Sequence, residues 1–411
     1  MKKGKDHEAG FLPRYRVLDL ADEKGVYCGK LLGDLGAEVI KVEPPGGDKT
    51  RSRGPFFNND VHPEKSLYFL CYNTSKGSLT LNLEHPDGRA IFKKLVAAAD
   101  TVVETFPVGY LASLGLDYAA LKQINPRLVM ASITPFGQTG PLKEYEVSDL
   151  IAQGMSGYMQ LVGDPWGPPL RLGNEHSNFA PSQYAAVAIL AALHYRDAAS
   201  GRGQYIDISM QEALITFCQE QLAAAAWLER GENVIRQGPT HPIAKPGGLY
   251  SCKDGWTSIF IVTPKEWDDL AQWMYEVTGD REILEEKYKG GLISRYEYRD
   301  LVEAMFLNFA GMLTKKEIFE EGQKREIAVH PVNDVADLLS DTQLTSRGFW
   351  VELDHPIVGR LKYPKGAWYC EDMPLLRKAA PLLGEDNERI YCGELGYTKK
   401  ELTTLRKAGV I

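Results

Sequence analysis

The sequence of 411 residues is poor in cysteine and has no hydrophobic run long enough to cross a bilayer. A spanning helix needs about 20 consecutive apolar residues, and the basic N-terminus lacks the apolar core of a signal peptide. We therefore expect a cytoplasmic protein with no membrane partner. The six cysteines form no CxxC pair and no Cys/His cluster, which predicts reduced thiols and no bound metal. They are Cys28, Cys71, Cys218, Cys252, Cys370 and Cys392.

An excess of positive charge is also missing. The chain has 47 Lys and Arg against 55 Asp and Glu, a net charge of -8, which argues against a nucleic-acid partner. A hydrophobic fraction of 44% and a charged fraction of 25% are typical of a globular protein with a sizeable core. The length allows two or three domains, or one large domain with an insertion.

Short apolar runs alternate with helical stretches in the first part of the chain. "YRVLDLA" reads as a strand, "VYCGKLLGDLG" as a helix and "AEVIKVE" as a second strand, and the rhythm then repeats twice. This alternation predicts an α/β domain with a parallel sheet, covering residues 1–230 and ending in helices at about 178–197 and 209–229. A change to turn-rich and then charged helical sequence predicts a smaller domain at 231–330.

The glycines of the first predicted helix do not form a dinucleotide-binding turn. Gly25, Gly29 and Gly33 are spaced by four residues, whereas a pyrophosphate loop needs the pattern GxGxxG. Residues spaced by four share one side of a helix. We therefore expect close helix packing at these glycines and no dinucleotide site.

Several segments in the same order along the chain resemble the family III CoA transferases, the formyl-CoA and carnitine-CoA transferase type. They include "LLGDLGAEVIKVEPPGGD", "VETFPVGYLASLGLDYAALKQINPRLVMASITPFGQTGP", "ILAALHYRDAASGRGQYIDISMQEA" and "LGEDNERIYCGELGYTKKELTTLRKAGVI". The resemblance implies a large Rossmann-like domain that residues 331–411 complete. It also implies that two subunits interlock as a dimer, and that coenzyme A is bound as the thioester substrate.

In this family an aspartate attacks the acyl-CoA carbonyl, forms a mixed anhydride and then carries CoA as a thioester. By the resemblance, and counting back from "ILAAL", that aspartate falls on Asn178. An amide has no carboxylate to donate, so we expect the chain to be inactive alone. A structural role is also open, because Ser177 or Asn178 with Pro181 after it is typical of a helix start.

Two other chemistries are weighed at this position. Glu175 is a possible substitute nucleophile, but from the sequence we expect that its use would require the loop to rearrange by several ångströms; the alternative is a solvated loop acid. The racemase branch of the family needs a histidine where Ser148 stands, before Asp149, and an aspartate near Asn178. With both missing, racemisation is not expected.

The resemblance also assigns a CoA site and a substrate loop. The CoA residues are Glu23, Lys24, Lys76, Thr105, Phe106, Ser113, Leu114 and Phe136. Several relatives have arginine at Ser113 and asparagine at Thr105, so phosphate binding is weakened unless Lys24 and Lys76 restore the charge; otherwise both are surface lysines. Gly247 and Gly248 fall near a glycine loop that covers the active site in some relatives, or form a plain turn.

Three functions follow as hypotheses. The first is a subunit without the nucleophile in a heteromer with a homologous, aspartate-bearing CoA-transferase subunit, as in the branch that moves CoA from succinyl-CoA to (R)-benzylsuccinate. The second is an active homodimer that uses Glu175, and the third is an acyl-CoA-binding pseudoenzyme. The aromatic residues Phe179, Tyr184 and Trp166 favour an aromatic acid as the substrate.

Overall fold

The chain folds into two compact units in the computed structural model, which describes residues 10–217, 220–241, 243–369, 371 and 378–411. The first unit comprises the described residues of Met1–Tyr158, Leu172–Ala224 and Thr345–Ile411. The second comprises those of Met159–Arg171 and Ala225–Leu344. Residues 159–171 thus belong with the middle of the chain, which the composition of the sequence does not indicate.

The described residues contain eleven strands and sixteen α-helices. The strands are β1 Arg16–Asp19, β2 Glu38–Glu43, β3 Lys76–Thr80, β4 Thr101–Glu104, β5 Val129–Thr134, β6 Tyr205–Ser209, β7 Gly247–Cys252, β8 Gly255–Phe260, β9 Val329–Pro331, β10 Trp350–His355 and β11 Gly359–Pro364. The helices are α1 Val26–Asp34, α2 Leu67–Tyr72, α3 Pro86–Ala97, α4 Tyr110–Ser113, α5 Tyr118–Ile124, α6 Asp149–Met155, α7 His176–Tyr195, α8 Met210–Phe217, α9 Glu220–Arg230, α10 Pro264–Thr278, α11 Leu292–Arg295, α12 Arg299–Met312, α13 Lys315–Lys324, α14 Val335–Ser340, α15 Thr342–Ser346 and α16 Lys399–Lys407.

A six-stranded parallel sheet forms the centre of the first unit, with the strand order β3-β2-β1-β4-β5-β6. This arrangement confirms the predicted α/β class with a Rossmann-like sheet. The edge strand β6 is not predicted from the sequence. Its burial alternates along "YIDIS", because an edge strand is less completely covered than the central strands, which are buried on both faces.

Helices cover both faces of this sheet. Successive residues of a strand point to opposite faces, so neighbouring residues belong to different cores. Leu18 and Val102 face a core that includes residues of α3 and α5, together with Leu402 of α16 and the C-terminal Val410. Val17 faces a second core that contains residues of α1 and α7. The two ends of the chain therefore share one hydrophobic core.

The second unit has its own core and a three-stranded antiparallel sheet in the order β7-β8-β9. Trp267 and Trp273 of α10 and Phe306 and Phe309 of α12 are buried in this core. The two strands β10 and β11 belong to the first unit and form an antiparallel hairpin of their own. The charged helical sequence at 264–328 thus folds around a compact apolar centre.

The state of the cysteines and the length of the helices can be compared with the sequence. Cys28, Cys71, Cys252 and Cys392 are free thiols, whereas Cys218 and Cys370 lie outside the described residues. No helix in the described part of the chain has both the length and the apolar composition that a membrane span requires.

The glycines of α1 permit the close packing that their spacing predicts. A Cβ on Gly25 would lie 2.8 Å from Cγ2 of Thr105, and one on Gly33 would lie 3.0 Å from the backbone oxygen of Ser75. A Cβ on Gly29 would overlap the carboxylate of Asp19, the last residue of β1. The side of α1 that carries the glycines thus packs against its neighbours with no room for side chains.

Replacing Gly29 by alanine is expected to destabilise the first unit by about 1–3 kcal/mol, because the added methyl group must displace the Asp19 carboxylate. The measurement is the midpoint of thermal unfolding followed by circular dichroism. Gly46→Ala is the matched control, since a Cβ there meets no atom within 4 Å. Equal midpoints for the two variants would contradict the close packing.

Candidate active site

The carboxyl ends of the central strands carry most of the residues assigned to CoA. In an open parallel sheet, ligands bind at this edge where the strand order reverses, which here is between β1 and β4. Glu23 and Lys24 follow β1, Thr105 and Phe106 follow β4, and Phe136 follows β5. All five lie after strand ends on the same edge of the sheet, and Glu23, Lys24 and Thr105 flank the switch point.

A hydrogen-bond pair joins the loops on the two sides of the switch point. The backbone N–H of Asp22 donates to Oγ1 of Thr105 at 2.9 Å, and this hydroxyl donates to Oδ1 of Asp22 at 2.8 Å. The ammonium of Lys24 pairs with the same Asp22 carboxylate. The positive charge of Lys24 is therefore already balanced within its own loop.

Lys76 is not a surface lysine. Its side chain has no exposed area, and its ammonium donates to Asp19 at 2.7 Å, to the carbonyl of Val26 at 2.8 Å and to Asn73 at 3.0 Å. Burial lowers the pKa of Lys76, and the nearby Asp19 carboxylate opposes this effect. With its three N–H donors bound in the core, this lysine has no proton left to offer a phosphate.

Ser113 and Leu114 lie at the end of the short helix α4. Ser113 is exposed, and its hydroxyl donates to the carbonyl of Tyr110 at 2.7 Å. Leu114 is partly buried and packs against the core that contains Leu18 and Val102. The tilted rings of Phe106 and Tyr110 are in contact with their centres 4.8 Å apart, so the loop after β4 carries an aromatic pair.

Glu104, at the end of β4, is a buried carboxyl group that the sequence does not single out. It accepts a hydrogen bond from the backbone N–H of Phe106 at 2.7 Å and a second from Ser132. Burial raises the pKa of Glu104 to about 7, and Asp22 adds to this shift while Lys24 opposes it. A cavity of about 60 Å³ adjoins this carboxyl group.

The helix α7, which carries Asn178, begins earlier than the sequence indicates. It starts at His176 with Glu175 as the N-cap residue, so the prediction of Ser177 or Asn178 as the N-cap is wrong. The backbone N–H of Asn178 donates to the carbonyl of Glu175 at 2.9 Å, which places Asn178 in the first turn. Pro181 follows inside the helix.

Asp149 fixes this first turn from the neighbouring helix α6. One carboxylate oxygen of Asp149 accepts from the hydroxyl of Ser177 at 2.7 Å and from its backbone N–H at 3.2 Å. The other oxygen accepts from the amide of Gln153 at 2.9 Å. The carboxylate next to Ser148 therefore binds the backbone of α7, beside the buried side chain of Asn178.

The Glu175 carboxylate contacts the side chain of Asn178 within the first turn of α7. Its Oε2 accepts from Nδ2 of Asn178 at 3.0 Å and from the hydroxyl of Tyr68 at 3.4 Å. Its Oε1 pairs with the guanidinium of Arg53. Glu175 is thus a partly buried, ion-paired residue and not a solvated loop acid.

Aromatic side chains border this cluster on one side. Phe179 lies 5.5 Å from Tyr27 and 5.2 Å from Tyr72 between ring centres, and Tyr72 in turn contacts Tyr68 at 4.8 Å. Burial raises the pKa of Tyr68, so its phenol stays a hydrogen-bond donor at neutral pH. Of the other aromatic residues expected near the site, Tyr184 is half-buried on α7.

Trp166, Gly247 and Gly248 belong to the second unit. Trp166 is 95% exposed. The two glycines are the first residues of strand β7 and do not form a plain turn. The reason is a close approach of the backbone: Gly248 has a φ of +131° and bridges to Thr240, where a Cβ has no room.

Sequence reasoning misses Arg53 and Tyr68, although both touch Glu175. Arg53 follows the carboxyl end of β2, and Tyr68 lies in α2. The available signal is the basic segment "KTRSR" after a buried strand of a parallel sheet, where ligand contacts are common. Among the described residues, no group of His, Cys, Asp and Glu is placed to hold a metal ion.

The first unit is built from both chain ends around a Rossmann-like parallel sheet, and a carboxylate–amide pair lies at the start of its long helix α7. The chain belongs to CoA-transferase family III, whose family model matches residues 12–387. The resemblance noted from the sequence is thereby confirmed.

Curated relatives match this chain along almost its whole length. The succinyl-CoA:(R)-benzylsuccinate CoA-transferase subunit BbsE of Thauera aromatica is 34% identical, over 97% of each chain. The formyl-CoA:oxalate CoA-transferase of Streptomyces coelicolor is 31% identical, over 96% of this chain and 98% of the relative. Among solved structures, a CaiB/BaiF family protein from Brucella suis is 32% identical with a TM-score of 0.82, over 92% of this chain and 98% of that one.

Because the pKa of Glu104 is raised to about 7, the protein is expected to lose stability as the pH rises through this range. The folded state holds the proton up to about pH 7, whereas the unfolded carboxyl releases it near pH 4.3, so folding is disfavoured progressively between these values. The total loss is about 4 kcal/mol. Glu104→Gln keeps the hydrogen bonds without a charge and is expected to remove this part of the pH dependence.

The measurement is the thermal midpoint of the wild type and of Glu104→Gln at pH 5 and pH 8. We expect the difference between the thermal midpoints at pH 5 and pH 8 to be smaller in the variant than in the wild type. Glu144→Gln, at an exposed position, is the matched control and leaves the difference unchanged. A wild-type pH response that persists in Glu104→Gln argues against this assignment.

Proposed function

We propose that this chain is the subunit without the nucleophile in a heteromeric CoA transferase, which moves CoA from an acyl-CoA such as succinyl-CoA to a carboxylic acid. The proposal rests on the amide of Asn178, which the resemblance puts at the position of the family aspartate. Its nitrogen donates to Glu175 at 3.0 Å, so it acts as a hydrogen-bond donor. Since an amide cannot form the mixed anhydride, transfer requires a homologous partner that carries the aspartate.

The names of two relatives support a heteromer. One is a subunit of the succinyl-CoA:(R)-benzylsuccinate enzyme, and another, 32% identical, is the beta subunit of the succinyl-CoA–L-malate CoA-transferase of Chloroflexus aurantiacus. Both names include succinyl-CoA as the donor. The aromatic border formed by Tyr27, Tyr72 and Phe179 supports an acceptor acid with a ring, and (R)-benzylsuccinate is the acid we propose.

CoA itself is proposed to bind along the carboxyl edge of the sheet, over the loops that contain Lys24 and Phe106. The hydroxyl of Ser182 links this region to the candidate site, because it contacts the carbonyl of Lys24 at 3.3 Å and that of Asn178 at 2.8 Å. The loop after β1 and the first turns of α7 are therefore in direct contact. A thioester that follows this edge would reach residue 178.

An active homodimer that uses Glu175 is the second candidate, and one observation favours it. The Glu175 carboxylate already lies within a hydrogen bond of Asn178, next to the position of the family nucleophile. Against it, the lone pairs that would attack an acyl group are engaged by Arg53, Tyr68 and Asn178.

Exchanging the two functional groups is expected to restore acyl-carrier chemistry. In Asn178→Asp/Glu175→Gln the carboxylate moves to residue 178 and the amide to residue 175, so their hydrogen bond is kept without two adjacent negative charges. After mixing with succinyl-CoA, we expect a hydroxylamine-sensitive CoA thioester on this variant. The measurement is intact mass spectrometry, and the wild type is expected to carry no adduct.

Glu175→Gln alone is the matched control, because it has no carboxylate at either position. An adduct on the wild type that disappears in Glu175→Gln would contradict the proposal and favour an active enzyme that uses Glu175. CoA exchange between two acids by the purified wild-type chain would also contradict it. If all three proteins bind succinyl-CoA but none forms an adduct, the chain is a pseudoenzyme.

A further inference from the structure

The surroundings of the Glu175 side chain have the composition of a carboxylate-binding site. One oxygen is bound by the guanidinium of Arg53, and the other accepts from Asn178 at 3.0 Å and Tyr68 at 3.4 Å. A cation, an amide and a phenol thus converge on one carboxylate, and all three are donors. They come from the segment after β2, from α2 and from α7.

This ion pair is accessible to water, unlike the buried pairs of the same unit. The side chains of Arg53 and Glu175 are 36% and 21% exposed, whereas Asp19 and Lys76 have no exposed area. The guanidinium lies 4.3 Å from the ring centre of Tyr68, so a planar group holds it in place. An ion pair that water reaches is weak, and another anion can replace its carboxylate.

The amide of Asn178 changes which ligands can bind at this position. An aspartate there would repel an incoming carboxylate, whereas the amide nitrogen donates a hydrogen bond to it. The neighbouring rings of Tyr72 and Phe179 provide an apolar wall next to the donors. The arrangement therefore suits a free carboxylic acid that carries an apolar or aromatic group.

We propose that Arg53, Tyr68 and Asn178 form a binding site for the free acceptor acid, and that Glu175 occupies this site until the acid displaces it. Only the identity of the acid rests on the proposed function. Glu175 is an internal competitor, so the affinity measured for an acid is reduced by the fraction of molecules in which the site is already filled. Removing the Glu175 carboxylate frees the site.

The test is isothermal titration calorimetry of the full-length chain with sodium benzylsuccinate at constant ionic strength. If Glu175 fills the site in about 90% of molecules, Glu175→Ala tightens binding about tenfold. The uncharged diamide of benzylsuccinate shows no such gain. Adding Arg53→Met to Glu175→Ala is expected to reverse the gain, and Glu144→Ala, an exposed acid elsewhere, is the matched control with no change.

Equal affinities of the wild type and Glu175→Ala for benzylsuccinate would overturn the proposal, and so would a gain that survives Arg53→Met. Glu175→Gln, which keeps the shape of the side chain, repeats the test if the alanine variant does not fold. Binding is measured without a partner or turnover. Failure to find transfer with any partner subunit therefore rejects the proposed function and leaves this site standing, while unchanged binding rejects only the site.

Discussion

The first turn of α7 depends on the carboxylate of Asp149. Its hydrogen bonds to the backbone and the hydroxyl of Ser177 satisfy donors that a helix start leaves without intrahelical partners. The side chain of the N-cap residue Glu175 makes no capping bond, so it is directed to Arg53 and Asn178 instead. Asp149 thus caps α7 from the neighbouring helix α6, and the side chain of Glu175 contacts the candidate site and not the helix backbone.

Positive charge near the carboxyl edge of the sheet is balanced by acidic groups of the same chain. The pairs are Lys24 with Asp22, Lys41 with Asp48, Arg51 with Glu43, Arg53 with Glu175 and Lys76 with Asp19. In the buried pairs, removing one partner leaves an isolated charge, which is strongly destabilising, so these cations serve the fold. Arg53 differs because it is the most exposed cation of this set and can exchange its partner at low cost.

Much of the sheet and the packing of α1 could be predicted from the sequence, because buried parallel strands are continuous apolar runs and glycines spaced by four mark one helix side. The start of α7 could not. Pro181 is typical of a first helical turn, but here it lies inside the helix, and the cap comes from Asp149 on another helix. The roles of Arg53 and Tyr68 could not be predicted for a similar reason, because their shared contact with Glu175 joins residues more than 100 positions apart.

The pair formed by Glu175 and Asn178 carries one negative charge, and its hydrogen bond needs one acceptor and one donor. A carboxylate at both positions would place two like charges in contact, so that one of them would have to bind a proton. With the amide at residue 178 and the charge at residue 175, Arg53 neutralises the pair completely. An incoming acid then adds a second negative charge to a neutral cluster, unless Glu175 leaves Arg53 as the acid arrives. Acid binding and displacement of Glu175 are therefore coupled by charge balance, whichever subunit performs the chemical step.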